Sequence, residues 1–191
     1  MVQYQTFDLQ DSYQLNSRLY DLIHKNLTEP VKASLDGAFR TEFDLHRKSF
    51  FGEKGFEDVY TLLNWICSVM PKAAYKFTQG GDESTCGDPI GWDPNAFQIC
   101  SCWGIHYNKG QGVVKHNHFP CSISFSYCLT APENSSPLIL EDKIIDPVPG
   151  RVIFFPGHQY HSVPPNGSDG RCMIAGNVLY LPEGGSIISK N

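Results

Sequence analysis

Gly150-Arg-Val-Ile-Phe-Phe-Pro156-Gly-His158-Gln-Tyr-His161-Ser-Val-Pro164 reads as an apolar strand, a turn marked by Pro156 and Gly157, and a histidine that opens the next strand. Upstream of it stands His116-Asn117-His118. In a strand, residues two apart point to one face with Cα atoms ~6.6 Å apart, so imidazoles at i and i+2 can close on one ion lying between them. The turn at 156–158 returns the chain and can bring His161 to that pair. A lone histidine is seldom a ligand. A pair at i and i+2 with a later histidine in a strand-turn-strand setting is a joint pattern that metal binding explains, so His116, His118 and His161 are the predicted ligands.

The surrounding sequence is consistent with a barrel. From Ala96 onward, short β-like runs at 96–107, 113–118, 121–130, 137–141, 151–156, 159–163 and 171–180 are separated by Gly, Pro and Asn clusters. The first third reads as helical. Leu15, Leu19, Leu22, Ile23 and Leu27 recur at three- and four-residue spacing until Pro30, and Phe56, Val59, Tyr60, Leu63, Ile66, Cys67 and Met70 form a stripe between Gly55 and Pro71. Residues 79–95 are rich in turn formers without period and read as a long loop. The expected fold is mainly β with helices, an α+β arrangement in which a barrel carries the N-terminal helices on one outer face. One domain over 1–191 is expected, with a helical support at 1–78 and the metal-binding core at 96–180.

Composition narrows the function classes. An apolar fraction of 41% belongs to a chain that can offset its conformational entropy and fold. Twenty acidic against fifteen basic residues give a net charge of -5, which offers no general attraction to phosphate backbones or anionic membranes, so neither nucleic acid nor membrane is an expected partner. The segment Met1-Val2-Gln3-Tyr4-Gln5 has no basic region followed by an apolar core, and no apolar run approaches the ~20 residues of a membrane span. Cysteines 67, 86, 100, 102, 121, 128 and 172 are odd in number and mostly lie in apolar runs, where a reduced thiol packs as a small hydrophobe. A cytoplasmic location follows as the expectation, with Cys100 and Cys102 reduced and sharing one face of their strand.

On these residues the chain resembles the iron(II)- and 2-oxoglutarate-dependent oxygenases, particularly their small bacterial and phage-type members. The resemblance spans roughly 96–180. It rests on Trp103, the glycine turn Gly110 and Gly112, His116-x-His118 with Pro120, the run 149–156, His161-Ser-Val-Pro, and Arg171-Cys-Met-Ile-Ala-Gly-Asn177. It implies a double-stranded β-helix of the jelly-roll or cupin-like kind, with Fe(II), 2-oxoglutarate and O2 as metal and cosubstrates. The family places a carboxylate where this chain has His118, although some small relatives carry His-x-His, and all-imidazole sites suit Zn, Cu and Ni as readily as iron. The same residues also look like the two cupin motifs, without the usual cupin glutamate.

By that resemblance, an arginine about ten residues past the distal histidine binds the far carboxylate of 2-oxoglutarate, which here is Arg171. A guanidinium at a pocket floor can grip a carboxylate through paired hydrogen bonds. Tyr127 or Tyr107 would add a hydroxyl, Asn177 is a further candidate for the same pocket, and His106 is a candidate for supporting a ligand from behind. The implied reaction is hydroxylation of an unactivated C–H bond of an amino acid, a small metabolite or a peptidyl side chain. Two alternatives stay open: a cupin-type three-histidine dioxygenase that uses no 2-oxoglutarate, and a non-catalytic metal-binding barrel. A homodimer is compatible with the reading.

Overall fold

The structure, a computed structural model, describes residues 2–30, 34–35, 37–41, 43–78, 93 and 95–181. In chain order its elements are β1 (Gln5–Asp8), α1 (Tyr13–Lys25), β2 (Leu27–Pro30), β3 (Ser34–Leu35), β4 (Phe39–Thr41), α2 (Leu45–Phe50), α3 (Glu57–Thr78), β5 (Phe97–Tyr107), β6 (Gly112–His116), β7 (Ile123–Thr130), β8 (Leu138–Leu140), β9 (Lys143–Ile145), β10 (Arg151–Pro156), β11 (His161–Val163) and β12 (Arg171–Tyr180). The strands form a major sheet ordered β1-β10-β7-β12-β5-β4-β2 and a minor sheet ordered β3-β6-β11-β8-β9. From β5 to β12 the chain passes back and forth between the two sheets, which is the winding of a double-stranded β-helix.

Three layers result. The helices cover the outer face of the major sheet through a core that includes Leu19, Ile23, Leu63, Ile66, Phe125, Tyr127, Phe154 and Ile174. A second core of Ile105, Tyr107, Val113, Leu138, Phe155, Val163 and Met173 lies between the two sheets. Strands of the major sheet therefore bury both faces. The helix-facing set on β7 is Ile123, Phe125, Tyr127 and Leu129, which leaves the smaller Ser124, Ser126 and Cys128 on the inner face.

The N-terminal third departs from the all-helical reading, since it also supplies β1, β2 and β4 to the major sheet and β3 to the minor one. Helix α1 ends well before Pro30. The backbone N–H of Asn26 donates to the Ile23 carbonyl and its side-chain amide donates to the Leu22 carbonyl, both within 2.8 Å, so terminal carbonyls are satisfied and Leu27 leaves as a strand. Helix α3 runs through Pro71 rather than stopping there. Proline removes one backbone bond at a cost of about 3 kcal/mol, but the stripe continues beyond it, with Ala73 and Ala74 buried, and packing carries the helix to Thr78. The predicted run at 137–141 is a hairpin, β8 and β9, turning at Glu141 and Asp142. Of the loop expected at 79–95, only Asp93 and Asn95 are among the described residues. No helix of the described residues is long and apolar enough to cross a membrane.

Tyr127 lies on the helix side of the major sheet. Its hydroxyl donates to Asn16 Oδ1 at 2.8 Å, and its ring stands edge-on to Trp65 with centroids 6.0 Å apart. Tyr127→Phe strands a buried acceptor, which costs about 1–2 kcal/mol, a fall in Tm of roughly 2–8 °C for a chain this size. Metal content should stay at the wild-type level. Calorimetry with metal analysis of the same sample checks both, and loss of metal in this variant would contradict the placement of Tyr127.

Candidate metal centre

The three predicted ligands meet. His161 pairs directly across the ladder with His116, and two residues on, Val163 pairs with Val113, three residues back from His116, so the register slips between them. That irregularity turns His116 toward His161, and their ring centroids lie 4.3 Å apart. His118 stands two residues past the end of β6. Its backbone N–H donates to the Gly157 carbonyl at 2.8 Å, and its own carbonyl accepts from the Cys121 N–H at 2.8 Å. These bonds hold its ring 4.9 Å from each of the other two. The candidate ligand atoms of the three histidines all lie within 4.8 Å of one another.

The i, i+2 strand argument therefore reaches the right residues by an incomplete route, because His118 is set by a turn and by Gly157. A Cβ at Gly157 would collide with the Cys121 carbonyl, so only glycine lets the turn that bears His118 sit this close to the end of β10. The tautomers are oriented from behind. Nδ1 of His116 lies 2.8 Å from the Val114 carbonyl and Nδ1 of His161 lies 3.2 Å from the Gln159 carbonyl. A carbonyl accepts from a protonated nitrogen only, so these contacts place the hydrogen on Nδ1 and leave the Nε2 lone pair for a metal. Asp142, the carboxylate that could have replaced His118, sits exposed in the β8–β9 turn, 4.0 Å from Lys143 Nζ.

Behind the histidines a chamber opens between the sheets. Its walls include Trp103, Ile105, Tyr107, Val113, Ser124, Ser126, Leu138, Phe155, Val163, Arg171, Met173 and Ala175. Phe155 packs on His161 with centroids 4.8 Å apart, and Trp103 meets His118 edge-on at 6.0 Å. Arg171 is 2% exposed, its Cζ 4.6 Å from the centre of the Tyr107 ring. Its Nε and Nη1 have no hydrogen-bond partner, and no carboxylate of the described residues lies within salt-bridge distance of it. Burial raises the Tyr107 phenol above its ordinary range, and the neighbouring guanidinium opposes that rise.

The other candidates separate. Of the two tyrosines, Tyr107 pairs with Arg171 in register and reaches the chamber, whereas Tyr127 faces the helices. Parity along β7 decides this: the large apolar residues gain more area against the helices, and the serines are left inside. Asn177 does not line the chamber. Its Oδ1 accepts from Ser124, which does, and its Nδ2 donates to Ser101 Oγ, so it ties β7 to β5. His106 is on the helix side too, with Nε2 3.3 Å from the Tyr20 hydroxyl, and it supports none of the ligands. Met173 and Ala175 share the inward face of β12 with Arg171, as two-residue alternation from Arg171 dictates, while Ser126 is found only from the β7 register.

Comparisons with solved structures agree with this architecture. A viral collagen prolyl hydroxylase from Paramecium bursaria Chlorella virus-1, in its 2OG complex, is 15% identical over 92% of this chain and 94% of its own, with a TM-score of 0.64. A Pseudomonas putida prolyl-4-hydroxylase is 18% identical over 94% and 93% of the two chains, with a TM-score of 0.59. A Trichoplax adhaerens prolyl hydroxylase, in complex with a hypoxia inducible factor peptide fragment, is 14% identical over 91% and 82%, also at 0.59. The chain has the double-stranded β-helix fold of these hydroxylases. No family model and no curated protein matches the chain.

Burial, with His116 next in effect, lowers the His118 imidazole to about 4. Burial, then His116 and His118, lowers His161 to about 3 against the opposing Gln159 carbonyl. Between these values and the ordinary 6.5, the unfolded chain binds more protons than the folded one. Metal-free protein should therefore lose stability as pH falls from about 6.5 toward 4, and the loss should level off below the folded values. Tm against pH, measured in chelator on wild type and His161→Gln, checks this. The variant should show the shallower decline, and equal slopes would contradict the account.

Proposed function

We propose that the chain is an iron(II)- and 2-oxoglutarate-dependent dioxygenase that hydroxylates a C–H bond of a peptidyl side chain. The observation that carries the reading is the placing of three imidazoles in one chamber with a buried Arg171 that has no counter-charge among the described residues and whose Nε and Nη1 lack hydrogen-bond partners. Three neutral imidazoles leave a divalent ion's charge uncompensated, and the guanidinium adds another positive charge in a space walled by Ile105, Phe155, Val163 and Met173. Buried charge without a counter-charge is costly. A dicarboxylate that spans the chamber answers both needs.

The spacing fits such a bridge. Ala175 pairs with Trp103, whose ring meets His118, so a metal on the histidines would lie near that level of β12. Arg171 is four residues earlier, about 13 Å down the strand at ~3.3 Å per residue, and its long side chain closes part of that distance. In this reading His116, His118 and His161 would hold the iron, and Arg171 with Tyr107 would hold the far carboxylate of 2-oxoglutarate. When bound, iron with 2-oxoglutarate supplies the oxidising power, coupling decarboxylation to succinate with insertion of oxygen from O2 into the C–H bond. The protein's own work is to aim three imidazole nitrogens at one point, anchor the cosubstrate and keep water away with the apolar walls.

The hydroxylases of similar fold support the choice of reaction, and the Trichoplax protein with its peptide fragment supports a peptidyl substrate over a free metabolite. Phe119, next to His118 and 77% exposed, offers an apolar contact beside the site that a peptide would cover. His118 in place of a carboxylate favours one rival, a three-histidine dioxygenase without 2-oxoglutarate, for which the buried Arg171 has no task.

Arg171 decides between them. Hydrogen bonds to charged groups are worth about 1.5–3 kcal/mol each, so Arg171→Ala should weaken 2-oxoglutarate binding at least ~tenfold while metal content stays near wild type. Arg171→Lys keeps the charge without the fork and should fall between. Anaerobic titration of 2-oxoglutarate into iron-loaded protein, followed by the visible charge-transfer band of keto-acid chelation and by succinate formation under O2, measures both. No band and no succinate in wild type would sink the proposal and leave the metal-binding barrel.

A further inference from the structure

We propose that Cys100 and Cys121 form a reversible disulfide that acts as a redox switch on the metal centre, through the turn that carries His118. The inference rests on the reading of His118 as a metal ligand. The two thiols are free, partly exposed and 3.9 Å apart.

An irregularity of the sheet produces this juxtaposition. On β5, Ser101 pairs with Asn177 and Ile99 with the next residue, Val178, so Cys100 is the extra residue of a bulge. Ile99 and Cys102 both pack into the helix-side core. The bulge thus breaks the alternation that would have put Cys100 on the face of Cys102, and it re-aims Cys100 toward Cys121 and the Asn177 carbonyl, which lies 3.4 Å from its sulfur. The expected shared face of Cys100 and Cys102 is corrected by the same observation.

Cys121 closes the turn from His118, its N–H bonded to the His118 carbonyl at 2.8 Å, and its own carbonyl is seated on Gly157. Cys102, Cys128 and Cys172 are buried, and burial raises all three thiols, so a dissolved oxidant meets the 100–121 pair more readily. Burial and the neighbouring Cys121 also push the Cys100 thiol up to about 11.

Hydrogen peroxide is a sufficient oxidant. One sulfur of the pair attacks one peroxide oxygen, the O–O bond breaks, and a sulfenic acid and one water form. The other sulfur then displaces the hydroxyl as a second water and the S–S bond closes. Two thiols lose two electrons and two protons, and peroxide is reduced to two waters. A dithiol reverses the bond by exchange.

A disulfide requires ~2.05 Å between sulfurs, so the pair must approach by about 1.9 Å from its present 3.9 Å. Cys100 stands out of the β5–β12 ladder, between the paired Ile99 and Ser101. Cys121 is bonded through its N–H to the His118 carbonyl, so the part of the movement that Cys121 takes up is passed to His118. Metal sites tolerate only ~0.2 Å in ligand distance.

The test uses full-length, metal-free, reduced protein treated with hydrogen peroxide, quenched with catalase and titrated with Co(II). Mass spectrometry should find a linked 100–121 peptide pair. Cobalt affinity should fall at least ~tenfold, in the range seen when the support of a ligand is lost, and dithiothreitol should restore it. Cys100→Ser and Cys121→Ser should each bind cobalt as reduced wild type does and resist peroxide. Absence of the 100–121 link, or a link with unchanged cobalt affinity, would overturn the switch. Failure of reduced wild type to bind cobalt would overturn the metal reading itself, and is seen before any oxidant is added.

Discussion

The alternation of side chains along β12 ties the molecule together, because this strand must satisfy two cores at once. Cys172, Ile174 and Val178 face the helices, while Met173 and Ala175 face the chamber between the sheets, and Arg171 begins the strand buried. Its ladders to β5 and β7 set which residues of those strands are inside. Trp103, Ile105, Tyr107 and Ser126 line the chamber because their partners on β12 do. A slip of one residue would exchange the faces and expel Arg171.

The minor sheet supplies the opposite constraint. It brings His116 and His161 side by side across a ladder, and the turn after β6 adds His118 against Gly157. Crowding three imidazoles into a half-buried space is unfavourable for their charged forms, which is why His118 and His161 stay neutral. A neutral, converging donor set is what a divalent ion needs. The site's irregularities have consequences of the same kind, since one register slip aligns His116 with His161 and the bulge at Cys100 places a thiol beside the turn that carries His118.

Sequence reasoning was most reliable where chemistry and local pattern coincide. His116, His118, His161 and Arg171 were legible because each belongs to a short motif, and the barrel because its strands are short and evenly punctuated. Reasoning from strand parity was weaker. It put Tyr127 and His106 near the site and Cys100 with Cys102, and in each case a bulge or the competition between two buried faces decided otherwise. Pro71 misled for a related reason: proline disfavours a helix locally, but the apolar stripe around it is long enough to prevail.

The amino-acid sequence alone determined the class of fold, the histidine set and the arginine, because apolar periodicity and the donor chemistry of imidazole and guanidinium are properties of residues and their immediate neighbours. Only the tertiary structure decided that Tyr107 rather than Tyr127 accompanies Arg171, that Gly157 is the seat of the His118 turn, and that Cys100 meets Cys121. Those outcomes depend on register between strands distant in the chain. Register is set by the sum of packing on both faces of the shared sheet, a quantity that no local stretch of sequence contains.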